Sequence, residues 1–169
     1  MRSTAPLAVD PYDDDPPEHW ILPDGINMPV TTQTHRREDT LEQTFKARIA
    51  REGRDASVLA NVALRWDPEH PTVGVDPDVM WVEPGLPEGA RSVLTWVKGV
   101  SPPRVAVEVV SLDTAFKDYS QGPEKYALSG TRELWVFDPD GYGRTEEDKG
   151  PGKLRVWRRV KRTFRCMHV

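Results

Sequence analysis

The chain has 169 residues, 37% of them hydrophobic and 30% charged, with a formal net charge of −4. That balance describes one folded domain with its own core rather than a disordered chain, and no apolar run reaches the eighteen residues that a membrane span needs. A single cysteine, Cys166, excludes an intramolecular disulfide, and the N-terminus turns acidic without the apolar core of a signal peptide, so the expected location is the cytoplasm.

Residues 1–34 hold many of the sixteen prolines and no sustained period, which predicts an N-terminal arm ahead of a single domain over 35–169. The spacing of Leu41, Phe45 and Ile49 predicts a helix over about 37–51, with Glu38, Asp39 and Glu42 in its first turns and Gly53 as its stop. ASVLANVALRW alternates, so Val58, Ala60, Val62 and Leu64 are expected on one face of a strand. DPEHPTVG reads as a turn and DPDVMWVE as a second strand; VLTWVKG fits either a short strand or a turn. RVAVEVVS is the clearest strand. A helical segment then ends near Ser129 with Gly130 as its stop, ahead of strand ELWVFD. After a polar loop, KLRVWRRV and RTFRCMHV predict a hairpin. The expected fold is therefore α/β (α+β), a mixed sheet flanked by helices.

Charge is uneven along the chain. Asp10, Asp13, Asp14, Asp15 and Glu18 crowd the start; Lys153, Arg155, Arg158, Arg159, Lys161, Arg162 and Arg165 crowd the end. The basic end suits either a polyanion-facing surface or a hairpin with a solvated basic face.

The strand RVAVEVVS poses the sharpest question. Val105, Val107 and Val109 share one face, and Arg104, Ala106, Glu108 and Val110 the other. An ionised carboxylate removed from water without a partner is costly, so Glu108 needs either a cation or an ion-pair partner such as Arg104. Asp78 follows Pro77 at the start of the preceding strand, where it reads either as a turn residue or as a carboxylate leaning over the sheet end. If the two strands are neighbours, Asp78 and Glu108 converge and need a proton or a cation between them. Magnesium typically takes one or two carboxylates and leaves room for water and phosphate oxygens. The backbone carbonyl of Val109 is a third candidate ligand.

DPDVMWV, PPRVAVEVVS and KDY…EKYALSGTRELWVFDP resemble the Uma-type restriction endonuclease family over about residues 60–160. The resemblance implies the PD-(D/E)xK nuclease superfamily, a restriction-endonuclease-like core in the order αβββαβ, and here extra C-terminal strands. It also implies a divalent-metal site at Asp78 and Glu108, magnesium or manganese as cofactor, and hydrolysis of DNA phosphodiesters. The partners expected are DNA and a second copy of the chain as a homodimer, with no membrane. The superfamily's lysine, two residues after the glutamate, is replaced by Val110, and the Uma-type alternative, four residues after Asp118, falls on Gly122. Lys125 and Lys117 remain as candidates, Lys125 favoured. Continuity of the helix across Gly122-Pro123 decides whether Lys125 reaches the site. Relatives carry an acid near the first helix, for which Glu38, Asp39, Glu42 and His35 are the candidates here.

His19, His35, His70 and His168 lack metal-ligand spacing, and phosphate-loop, serine-hydrolase and dinucleotide motifs are absent. Tyr119, Tyr126, Trp135 and Phe137 invite base stacking, but their placement favours the core. The leading expectation is a magnesium-dependent endonuclease using Asp78, Glu108 and Lys125. The alternative is a catalytically degenerate relative acting as a nucleic-acid-binding or regulatory module. Hydrolysis of some other phosphoester is a third.

Overall fold

The computed structural model describes residues 32–111, 114–115, 117–142 and 154–167, with side chains from Thr34 onward. The arm over 1–31, the histidines 19 and 168, and Lys153 lie outside the described residues. Helix α1 (Thr32–Glu52) starts five residues earlier than its periodicity suggested, so its first turn holds no acid and Glu38, Asp39 and Glu42 fall further along. The strands are β1 (Ser57–Ala60), β2 (Ala63–Arg65), β3 (Gly74–Val75), β4 (Val79–Val82), β5 (Ser92–Leu94) and β6 (Val105–Val109). A π-helical turn (Lys117–Gln121) leads into α2 (Gly122–Leu128), followed by β7 (Glu133–Phe137), β8 (Leu154–Val160) and β9 (Thr163–Met167).

Six strands form one mixed sheet in the order β1-β4-β6-β7-β8-β9. Only β6 and β7 run parallel within it, joined by the crossover through α2; the other neighbours are antiparallel. The predicted α/β (α+β) architecture is therefore present, with α1, β1, β4, β6, α2 and β7 in the order αβββαβ and β8–β9 as the extra hairpin.

The reading of 56–66 as one strand does not hold. Asn61 adopts a left-handed backbone, φ 53°, a conformation asparagine tolerates better than most residues. Its N–H donates to the carbonyls of Pro77 and Asp78, both at 3.2 Å. Beyond it the chain leaves the main sheet, and β2 joins β3 and β5 in a second sheet of three strands. The alternation of Val58 through Leu64 continued across a corner where the pleat did not. VLTWVKG resolves into β5 followed by turns.

Alternation does hold within β4 and β6, and it builds two cores. Val79, Trp81, Val105 and Val107 meet Phe45 and Ile49 of α1 on one face. Met80, Val82, Ala106 and Val110 meet Tyr126, Ala127, Leu134 and Val136 on the other. Pro123 occupies the first turn of α2, where its missing N–H costs no helical bond. Gly130 ends the segment at φ +87°, and a Cβ there would approach Pro102 to 2.8 Å, so conformation and space both favour glycine. Among the described residues no helix is long and apolar enough to cross a membrane.

Candidate active site

Asp78 directly precedes β4, and Glu108 lies near the end of β6. The antiparallel register pairs Val79 with Val107, which brings these two ends of neighbouring strands together. The Val109 N–H donates to Asp78 Oδ2 at 2.6 Å, clipping the start of β4 to the end of β6. Val109 thus meets Asp78 through its N–H. Burial, then repulsion from Glu108, hold the Asp78 carboxyl well above the usual aspartate range.

Glu108 is 4% exposed and belongs to the α2 face. The Tyr126 hydroxyl, fully buried on α2, donates to Glu108 Oε1 at 2.6 Å. Burial raises the Glu108 pKa; attraction to Lys117, the Tyr126 hydrogen bond and attraction to Lys125 oppose that rise. The alternative partner Arg104 serves other groups: it lies 3.4 Å from Glu83 and over the Trp81 ring. Arg104 precedes β6, so the strand's alternation does not govern it, and it sits with Trp81 and Phe45 rather than on the face expected beside Glu108.

The π-helical turn decides the lysine question in an unexpected way. It inserts an extra residue per turn ahead of α2, and both Lys117 and Lys125 come within electrostatic reach of Glu108. Lys117 is exposed, and its pKa is raised chiefly by attraction to Glu108. Lys125 is 5% exposed, and burial followed by repulsion from Lys117 lowers its pKa to about 8. Val110, at the superfamily's lysine position, is a core residue at 1% exposure. Gly122 is buried, and a Cβ there would meet only ordinary contacts at 3.7 and 3.8 Å.

Two further acids surround the pair. Asp118 is 1% exposed; burial and then repulsion from Glu108 raise its pKa to about 7. Its Oδ2 accepts the Thr114 hydroxyl at 2.6 Å, while Oδ1 makes no hydrogen bond among the described residues and lies 3.9 Å from Lys117 Nζ. Glu38 of α1 is 3% exposed and near enough to push the Asp78 pKa up. The Asn61 side chain donates to it at 3.4 Å, and His35 stands 3.4 Å away. Asp39 is exposed and Glu42 pairs with Lys46 at 2.7 Å, so of the first-helix candidates only Glu38 turns inward, with His35 exposed beside it.

The sequence reading passed over Tyr126 and Asp118 as site residues. Tyr126 carried no signal beyond a core aromatic. Glu38 did carry one, since Thr34, Glu38, Leu41, Phe45 and Ile49 lie on one helical stripe. His70 pairs with Asp67 at 3.0 Å.

Whether this arrangement suits a divalent ion rests on its donors. No three His, Cys, Asp or Glu side chains among the described residues converge as a ready cluster. Asp78 and Glu108 are nonetheless a half-buried and a buried carboxylate on adjoining strand ends, both raised in pKa chiefly by desolvation, and Asp118 Oδ1 is a buried acceptor with no donor among the described residues. Magnesium fits such a site because one or two carboxylates and water satisfy it.

The family described as "Uma2: Putative restriction endonuclease" matches residues 8–143. Among solved structures, the chain is similar to one described as a putative nuclease belonging to DUF820 from Anabaena variabilis ATCC 29413. That match has 14% identity and a TM-score of 0.55, covering 85% of this chain and 72% of the other. At that identity the likeness establishes the fold, which is nuclease-like. No curated protein matches the chain.

Proposed function

Because the chain belongs to the Uma2 family, described as putative restriction endonucleases, we propose that it is a metal-dependent endonuclease that hydrolyses DNA phosphodiester bonds. The observation that carries this reading is the pair Asp78 and Glu108, a half-buried and a buried carboxylate on adjoining strand ends, Asp78 held by the Val109 N–H and both raised in pKa. These two side chains would hold magnesium, with manganese as a substitute. When bound, the ion supplies a Lewis acid that polarises a phosphoryl oxygen and activates water.

The chain's own groups do the rest. Tyr126 fixes the Glu108 carboxylate and favours its charged form through its hydrogen bond. Lys117, exposed and held cationic by Glu108, is placed to offset charge on an entering phosphate. Lys125, with its pKa near 8, exchanges a proton close to neutral pH and suits the positioning of water. The two lysines thus divide between them what the superfamily assigns to one, and Lys125 is retained as the principal candidate.

The test is cleavage of supercoiled plasmid with magnesium or manganese by the parent, Glu108→Ala, Lys125→Ala and Lys117→Ala. The parent should nick or linearise the plasmid, Glu108→Ala should not, and each lysine variant should be slower. Cleavage that survives Glu108→Ala would sink the metal-ligand assignment. A second reading, a nuclease-fold module that binds nucleic acid without cutting it, is favoured by Val110 in place of the superfamily lysine. An inactive parent in every metal, with DNA binding retained, would select it.

A further inference from the structure

On the α1 face, at the other end of the same strands, lies a cleft of about 530 Å³. Arg104 at its rim precedes Glu108 by four residues, about 13 Å along an extended strand, so the cleft and the carboxylates are separate places. Seven cationic side chains and one acidic side chain line it. That volume falls within the range of small-molecule sites.

Three guanidinium groups surround the Trp81 indole: those of Arg48, Arg54 and Arg104, at 5.8, 5.5 and 5.7 Å from the ring centre. Two acids serve these three cations. Glu52 pairs with Arg48 and Arg54, and Glu83 with Arg54 and Arg104. Glu133 is taken by Arg158 at 2.8 Å and by the Trp135 N–H at 3.1 Å. Arg132 and Lys161 are exposed and have no acid partner among the described residues. Arg159 donates to the Ala127 carbonyl and has no acid partner among the described residues.

A second observation concerns a residue that lines the same cleft. Trp81 is 4% exposed, and its indole N–H is buried without an acceptor among the described residues. A buried donor left unpaired is unfavourable, and an acceptor entering the cleft would satisfy it. Arginine forks match phosphate oxygens two at a time. The half-buried Trp135 ring, in edge contact with Phe45 at 5.7 Å, gives the cleft an aromatic wall beside those cations.

We propose that this cleft binds a nucleotide, its phosphates on Arg132, Arg159 and Lys161 and its flat base against the Trp135 side. The nucleotide is either free or the terminal residue of a nucleic-acid strand. The site requires no metal and does not depend on the carboxylates, so it stands or falls apart from the endonuclease reading.

The test is calorimetric titration of the full chain carrying Asp78→Ala and Glu108→Ala, in chelator. The probes are adenosine triphosphate, pyrophosphate and a short single-stranded oligonucleotide with a 5′-phosphate. The nucleotide or the oligonucleotide should bind, and pyrophosphate should bind about tenfold more weakly. Adding Arg132→Ala and Lys161→Ala, both at exposed positions, should weaken binding by about tenfold or more. Trp81→Phe should weaken it with the fold intact by circular dichroism. Binding by the oligonucleotide alone would identify the strand end as the source. Pyrophosphate binding as tightly as the nucleotide would overturn the assignment, as would absence of binding or binding indifferent to the Arg132 and Lys161 changes. In the last two cases the cations merely cover a tryptophan-rich face.

Discussion

Strand β6 has a basic end and an acidic end, and the two handle like charge in opposite ways. At Arg104 the guanidinium groups stay near the surface, share Glu52, Glu83 and Glu133, and spread over an indole. At Glu108 the acids Glu108 and Asp118 are buried and Asp78 is half-buried, and burial is the leading cause of each raised pKa. Exposed like charges are screened by water and salt, so the basic end tolerates vacancy. Buried like charges are screened much less, so the acidic end, which Lys117 and Lys125 offset only in part, gains from a further proton or cation.

The largest expected effect breaks that contrast at the acidic end. Glu108→Gln keeps the side chain's shape and its contact with Tyr126 while deleting the charge. Plasmid cleavage should fall on the order of a hundredfold to a thousandfold, as for loss of a group that stabilises transition-state charge. The metal-free protein should become more stable by thermal melting at pH 8, because the repulsion felt by Asp78 and Asp118 is relieved. A variant that loses both activity and stability would show that the charge at Glu108 supports the fold rather than straining it.

The pH dependence is the next largest effect. Asp118 titrates near 7 in the fold against 3.8 ordinarily, so the folded chain holds the extra proton between those values. Its stabilising contribution is complete below about pH 4 and is lost as the pH rises through about 7. The raised pKa values of Asp78 and Glu108 act in the same direction. Metal-free protein should therefore melt lower at pH 8 than at pH 5, by at least about 3 °C for a chain of this size. Millimolar magnesium should recover the difference at pH 8, since a ligand of the folded state stabilises by mass action. Equal melting temperatures at the two pH values would count against the buried acidic cluster.

A smaller effect isolates one hydrogen bond. Tyr126→Phe removes the donor to Glu108 Oε1 and should cost about 1–3 kcal/mol. Because that bond favours the charged carboxylate, its loss moves the Glu108 pKa further up. The acidic limb of the cleavage profile should shift to higher pH, and a limb that stays in place would assign it to another group.

How much of this was legible beforehand differs between the ends. Alternation within β6 placed Glu108 opposite the valine row, and the order αβββαβ emerged from periodicity and turn signals, because both patterns are local. Convergence of Asp78 with Glu108 needed only that β4 and β6 be neighbours. Lys125 was favoured over Lys117, yet both come within electrostatic reach of Glu108, because the π-helical turn between them has no sequence period. The strand break at Asn61 was hidden by an alternation that persists through the corner. Tyr126 was legible as core, but its hydroxyl partner lies eighteen residues away across a helix–sheet contact. The basic cleft was the least visible, since its cations come from α1, the loop after it, the residues just before β6 and β7, and the β8–β9 hairpin.

The smallest expected effect tests the basic end for the tolerance attributed to it. Glu83 stands between Arg54 and Arg104, at 3.3 and 3.4 Å, and all three side chains are partly exposed. Glu83→Gln removes one of the acids that offset the cations around Trp81. Partly exposed pairs contribute roughly 0–1 kcal/mol, so the melting temperature should fall by no more than about 4 °C. The loss should shrink as salt rises from low to moderate concentration, because the remaining repulsion is screened. A larger, salt-insensitive loss would mean that Arg54 and Arg104 are held in a setting as closed as that of Glu108. The two ends of β6 would then differ in the sign of their charge alone, and the basic end would need a counter-ion as much as the acidic end does.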